Sequence, residues 1–400
     1  MCCMSLAIRN GTAFIKGQYQ HTDILIEGGR ITKIGADLKG DESINAAGMI
    51  VLPGLIDPHV HLREPGETSK EDFITGTRAA IAGGFTTVID MPNNSTPTIT
   101  KERLIEKQKL AEEKALCDVR FHFGGTDDNF EEVKRADPDS LKLYLGLTTG
   151  NMVLKNPDSV AKHFRSFPKD RPIVLHACDH SENEEKNLEK TFSTVEGAVS
   201  LAKDMGRRIH IAHASTKKEV TLAKSYAGCT VEVAPHHLFL SKDDESGLGD
   251  FSKVFPPLRS EQKRIMLWSA LDLVDCIATD HAPHTVEDKE LGAAGFPGLE
   301  TSLALMFDAC SRGLIDKIWV AQRMSENVAR IFNLKRKGKL EIGFIGDVTI
   351  VDPAKVWTVK GSGLETKCRW SPFEDRELKG KVKTVVKKGK IIYEDYRFRA

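Results

Sequence analysis

Two histidines one residue apart, His59 and His61, close an apolar run in Asp57-Pro58-His59-Val60-His61-Leu62-Arg63. Side chains of an extended strand alternate faces, so residues two apart project the same way and both imidazoles reach one metal ion. A second reactive group is Lys142, in Leu141-Lys142-Leu143-Tyr144-Leu145-Gly146-Leu147. The leucines share one face of that strand, leaving Lys142, Tyr144 and Gly146 on the other. An ammonium facing a protein interior is costly, because burial disfavours the charged form. Pairing with a carboxylate, a Schiff-base role, or capture of carbon dioxide as an N-carboxylate bridging two metals would each relieve that cost. Four neutral imidazoles (His59, His61, His176, His213) with Asp280 offer little negative charge to two divalent cations. The bridging N-carboxylate at Lys142 therefore fits best.

The elements that must position these groups follow from the apolar pattern. Apolar runs at 49–55, 86–91, 119–123, 141–147, 172–175, 208–212, 230–233 and 274–278 read as strands. Between them, 101–116, 181–205, 217–226 and 261–273 carry apolar residues at three and four spacing, as amphipathic helices do. The stretch 127–139 shows the helical pattern most weakly. Eight strands alternating with helices predict an α/β chain folded as a (β/α)8 TIM-like barrel, with chemistry at the C-terminal strand ends. A doubly wound open sheet is the other architecture, but no Gly-x-Gly-x-x-Gly follows a strand. The strand-end rule gathers His59 and His61, Asn93, His176, His213, His236 and His237, then Asp280, His281 and His284. Eight of the thirteen histidines thus fall where a barrel keeps its reactive groups.

Both chain ends have a different texture, with short apolar runs and glycine turns such as Gly28-Gly29 and Lys388-Gly389. Neither has enough strands for a stable sheet alone. The expectation is a small β-sandwich built from both chain ends, 1–52 and 344–400, around a barrel at 53–343.

Composition narrows the function classes. Lysine plus arginine equals aspartate plus glutamate at 57 each, so no net field draws the 400-residue chain to nucleic acid or an anionic membrane. Eight cysteines without framework spacing read as reduced thiols. There is no basic segment followed by an apolar stretch near the start, and no run of about 18 apolar residues. A cytoplasmic location is expected.

The segments quoted so far, with 83–94 (Gly-Gly-Phe-Thr-Thr-Val-Ile-Asp-Met-Pro-Asn-Asn), 231–238 (Val-Glu-Val-Ala-Pro-His-His-Leu), 278–284 (Ala-Thr-Asp-His-Ala-Pro-His) and 295–301 (Gly-Phe-Pro-Gly-Leu-Glu-Thr), resemble the dihydroorotases of the cyclic amidohydrolase family. The likeness runs through nearly the whole chain, and its lysine-bearing form is similar to the dihydroorotase domain of the animal multienzyme pyrimidine protein. It implies two zinc ions: His59, His61 and Asp280 on the first, His176 and His213 on the second, and Lys142 bridging as N6-carboxylysine. It implies reversible closure of N-carbamoyl-L-aspartate to dihydroorotate in pyrimidine biosynthesis. A hydroxide shared by the metals would attack the ring amide, with Asp280 as base and then acid. Arg63 and Asn93 would bind the substrate carboxylate. His284, Ala294, Gly295 and Thr148 would complete the substrate contacts, and the glycine- and threonine-rich 146–150 suits a mobile lid. His180, His210, His237 and His281 are read as structural.

The partner expected is thus a small molecule. Self-association and association with aspartate carbamoyltransferase are compatible with the resemblance but not readable from the chain. A dihydropyrimidinase, hydantoinase or allantoinase is the nearest alternative, and a non-catalytic scaffold on the same fold is the alternative of another class. Two departures stand out. Phe255 takes the place where many family members have asparagine before Pro-Pro-Leu-Arg, so a substrate-side contact there is absent or supplied elsewhere. Ala212 occupies the position associated with a further metal in the animal domain, which argues against a third zinc even though Glu232 is present.

Overall fold

Glycine pairs turn the N-terminal segment back on itself. In the computed structural model, which describes residues 5–146, 152–179 and 183–399, Gly28 and Gly29 have φ of 56° and 77°. Those left-handed values suit a two-residue hairpin turn and cost glycine little. The N-terminal strands are β1 (Leu6–Ile15), β2 (Gln18–Glu27), β3 (Arg30–Gly35), β4 (Glu42–Asn45) and β5 (Ile50–Pro53). The central strands are β6 (Leu55–Val60), β7 (Phe85–Asp90), β8 (Asp118–Phe121), β9 (Phe123–Gly124), β10 (Leu141–Tyr144), β11 (Ile173–His176), β12 (Ile209–Ile211), β13 (Cys229–Val233) and β14 (Cys276–Ile277). The last four are β15 (Val348–Thr358), β16 (Glu377–Lys387), β17 (Lys390–Glu394) and β18 (Arg397–Phe398).

The two chain ends share one nine-stranded sheet, ordered β18-β17-β16-β15-β5-β1-β2-β3, with β4 on β1. Its seam is the antiparallel pair β15–β5, with Val348 opposite Pro53 and Val351 opposite Ile50. Ile8, Ile24, Ile26, Ile31, Val348 and Ile350 bury one face of it. Each such side chain contributes roughly 1.5–3 kcal/mol on leaving water.

The central strands pair in parallel throughout, in a three-stranded sheet β6-β7-β8 and a six-stranded sheet β14-β13-β12-β11-β10-β9. Val60, at the end of β6, bridges in parallel to His281, just past β14. Helices 101–114, 184–204 and 217–223 begin on capping side chains of Thr100, Asn183 and Thr216. The weakly patterned connection 127–139 holds a helix at Phe130–Ala136.

Two strand assignments need correction. The apolar run 49–55 is not one strand: 50–53 belongs to the terminal sheet, and the first central strand is 55–60. Gly54 divides them, because a Cβ there would meet Thr86 Oγ1 at 2.2 Å and Asp347 Cβ at 2.9 Å. The run 119–123 is split at His122. There the chain changes partners, His122 N–H bonding Asp90 O at 3.0 Å and Phe123 N–H bonding Ser140 O at 3.1 Å. Among the described residues no helix is long and apolar enough to cross a membrane.

Candidate active site

The first central strand delivers His59 within β6 and His61 just beyond it, both facing one cavity. Asp280 follows β14, and its Oδ1 lies 3.2 Å from Nε2 of His59 and 3.2 Å from Nε2 of His61. From the neighbouring strands, His176 Nδ1 and His213 Nε2 approach to 2.8 Å. Imidazole and carboxylate atoms so converged have lone pairs aimed at a common space, which is a metal-ligand arrangement. His59, His213 and Asp280 place one donor atom each within 4.8 Å of one another.

Charge states suit that reading. Burial pushes His61 down to about 4 and His213 well below its ordinary value, so both rings are neutral and able to ligate. Burial alone would raise Asp280, but His59, His61 and His213 outweigh it and hold the carboxyl below the usual range. Lys142 is 0 % exposed, and its Nζ has no hydrogen-bond partner among the described residues. Burial lowers its ammonium to about 8, against the upward pull of Glu232 and Asp280. An orphaned buried amine beside four imidazoles fits a group that is modified or ligating. The donor set therefore fits metal ions.

Backbone geometry aims these groups. Arg63, His213 and Asp280 all have positive φ, at 63°, 36° and 49°. A left-handed non-glycine residue costs of order 1–3 kcal/mol, and the outlay here falls on three residues of one cavity.

The same cavity is lined by Arg63, which is buried. Its Nε donates to Pro283 O at 3.1 Å and its Nη2 to His284 Nε2 at 3.0 Å. The neighbouring acids pair elsewhere: Glu64 with Lys114, and Glu67 with Lys70 at 3.0 Å. Among the described residues no carboxylate lies within ion-pair distance of this guanidinium. Asn93 lines the same cavity, and its Oδ1 is buried without a hydrogen-bond partner among the described residues. Ala294 and Gly295 form part of the wall, as do Tyr144, Phe255 and Ala282. His284 stands behind Arg63, pushed down to about 2 by burial and that neighbouring charge. Thr148 and His180 lie outside the described residues, as do 147–150 of the expected lid.

Glu232 and Asp57 were not read from sequence as supports of the centre. Glu232 Oε1 lies 2.5 Å from His59 Nδ1 and accepts the His213 backbone N–H at 3.1 Å, while Oε2 is 3.0 Å from His210 Nε2. Asp57 accepts Thr279 Oγ1 at 2.5 Å and the His59 N–H at 3.1 Å, tying β6 to the loop bearing Asp280. The signal for both was strand parity. Asp57 is two before His59, and Glu232 alternates with Val231 and Val233. His210 also contacts Thr230 Oγ1 at 2.8 Å, and His281 Nδ1 accepts Gly298 N–H at 3.1 Å, both in supporting positions. Among the described residues neither ring nitrogen of buried His237 has a hydrogen-bond partner.

Comparison with known proteins agrees with this geometry. The chain is 40% identical over 394 residues to the dihydroorotase of Pyrococcus abyssi, covering 96% of this chain and 94% of that protein. It is 37% identical over 363 residues to the multifunctional protein CAD of Squalus acanthias, 88% of this chain matching 15% of that much longer one. Among solved structures, the L-hydantoinase (dihydropyrimidinase) of Arthrobacter aurescens superposes with a TM-score of 0.94 at 25% identity, over 99% of this chain and 98% of that one. The Amidohydrolase family profile matches residues 50–392. With that match extending over most of its length and the histidine, lysine and aspartate centre within it, the chain belongs to the amidohydrolase family.

Proposed function

We propose that this protein is a zinc-dependent dihydroorotase that interconverts N-carbamoyl-L-aspartate and dihydroorotate in pyrimidine biosynthesis. The observation that carries the choice of substrate is Arg63, a buried guanidinium with no carboxylate partner among the described residues, on the rim of the histidine-rich centre. Dihydroorotate bears a free carboxylate that an arginine fork binds with two parallel charge-assisted bonds, and hydantoins and dihydrouracil lack it. The dihydroorotase relatives, at up to 40% identity, support the same reading. The hydantoinase likeness is close in fold but at 25% identity, and a neutral ring would leave Arg63 unpaired. A non-catalytic scaffold would have no use for six retained metal donors.

In this reading His59, His61, His176, His213, Asp280 and Lys142, the last as the N-carboxylate formed from carbon dioxide, would hold two zinc ions. When bound, the ions supply Lewis acidity toward the ring carbonyl and lower the pKa of water toward neutrality. Asp280 accepts the proton of the attacking water and returns it to the departing ring nitrogen. Its low pKa keeps it ionised for the first of those steps. Arg63 and Asn93 fix the substrate carboxylate, with His284 holding Arg63 in place and touching the substrate. Ala294 and Gly295 offer backbone groups to the ring. Phe255 supplies an apolar surface to the cavity.

The architecture proposed with this function is an eight-stranded α/β barrel at 53–343 and a β-domain of 1–52 with 344–400. The Val60–His281 bridge between the first and last central strands supports closure. The experiment is a hydrolysis assay of purified, metal-analysed protein with dihydroorotate, dihydrouracil and hydantoin. Turnover of dihydroorotate alone is expected. Preferential turnover of the uncharged rings would replace this assignment with the hydantoinase one.

A further inference from the structure

Lys289 is 0 % exposed, yet no carboxylate lies within ion-pair distance of it among the described residues. Its Nζ donates instead to three backbone carbonyls: Lys253 O at 2.7 Å, Ala293 O at 2.9 Å and Gly295 O at 3.2 Å. Gly295 N–H returns a bond to Lys253 O at 3.0 Å, so one ammonium staples two segments that otherwise meet through a single backbone bond. A buried cation without an anion is poor value for stability, since an apolar side chain of the same volume would do as well or better. What this one secures is the placement of carbonyls on either side of Ala294.

That backbone is part of the cavity wall. Gly295 has φ of 147°, and a Cβ on it would meet Ala282 O at 2.4 Å. Gly295 is thus closely packed against the main chain of Ala282, leaving no room for a side chain of its own.

A second tether reaches the same wall from the C-terminal part of the chain. Glu300 accepts the N–H groups of Glu365 and Thr366 at 2.9 and 3.0 Å, and Glu71 accepts Thr366 Oγ1 at 2.5 Å. The segment so anchored delivers Trp370, whose indole N–H donates to His284 O at 2.8 Å. Trp370 packs edge-on to Phe296, and Lys289 Nζ lies 5.4 and 5.5 Å from the Phe296 and Trp370 rings.

We infer that Lys289 and Trp370 are positioning residues for substrate binding: Lys289 fixes the 293–295 wall and Trp370 fixes His284 behind Arg63. The inference rests on the dihydroorotase reading. Neither residue touches the metal donors, so their loss weakens binding of the ring and leaves the chemical step alone. For Lys289→Met, KM for dihydroorotate rises about tenfold with kcat within about twofold, the loss of a few directed hydrogen bonds. For Trp370→Phe, which keeps the ring and removes one donor, KM rises about threefold.

The test is steady-state kinetics of both variants, with metal content and hydrogen exchange at 291–298 measured alongside. Unchanged metal, faster exchange and a raised KM support the inference. A KM within about twofold of wild type in folded Lys289→Met, or a loss confined to kcat, overturns it. Should Lys289→Met not fold, an unchanged KM in Trp370→Phe overturns it instead. Wild-type protein inert toward dihydroorotate would defeat the functional reading, and this inference with it; an active wild type with indifferent variants defeats the inference alone.

Discussion

Glu232 Oε1 sits 2.5 Å from Nδ1 of His59, on the side of the ring away from Asp280. The carboxylate fixes the tautomer with hydrogen on Nδ1, leaving the Nε2 lone pair for a metal. Burial opposes its ionisation, but His59 and His210 hold Glu232 well below the ordinary carboxylate range. Glu232→Gln is expected to lower metal affinity by roughly 10- to 100-fold while the fold survives. Metal titration of chelated protein measures it, and wild-type affinity in the variant would remove Glu232 from this role.

Lys142 has no partner for its Nζ among the described residues, so the proposed N-carboxylate is the feature that gives the residue a purpose. Lys142→Ala should lose metal and activity together, with both partly restored by a short-chain carboxylic acid that fills the gap. A variant that keeps two metals and full turnover would show the bridge to be something else.

Arg63 contacts Pro283 and His284 but none of the metal donors. Arg63→Met should cut dihydroorotate turnover by roughly 100-fold or more, the effect of losing one side of a buried charge pair, at normal metal content. Loss of metal in this variant would mean that the arginine acts through the centre and not on the substrate.

A pH dependence follows from His122, whose Nε2 donates to Pro58 O at 2.9 Å and whose Nδ1 accepts Ser140 Oγ at 2.7 Å. A neutral ring satisfies both bonds, and burial pushes its pKa from the ordinary 6.5 down to about 3. The unfolded chain therefore binds a proton that the folded one refuses between those values. Its contribution to stability is complete above pH 6.5 and drains away as pH falls toward about 3. Urea unfolding of metal-free protein at pH 7 and pH 5 should show a smaller difference for His122→Gln than for wild type. An equal or larger difference would assign the acid sensitivity elsewhere.

Much of this centre was legible in sequence because strand parity is a rigid rule. His59 and His61, Lys142 and Tyr144 each fell on one face by counting twos, and the cavity receives all four. The first strand was misread because an apolar run carries no mark of where one sheet ends and another begins. Gly54 makes that division through contacts with Thr86 and Asp347, residues distant in the chain. Lys289 was silent for the same reason. In Glu287-Asp288-Lys289-Glu290 it looks like a solvated helix face, and only the fold brings the carbonyls of 253 and 295 around it.

The central claim is metal-dependent hydrolysis of dihydroorotate at one histidine, lysine and aspartate centre. Its most direct test is turnover by chelated protein as zinc is returned in steps. The account predicts no activity in metal-free protein and full recovery at two ions per chain. Substantial dihydroorotate hydrolysis by demonstrably metal-free protein would contradict it.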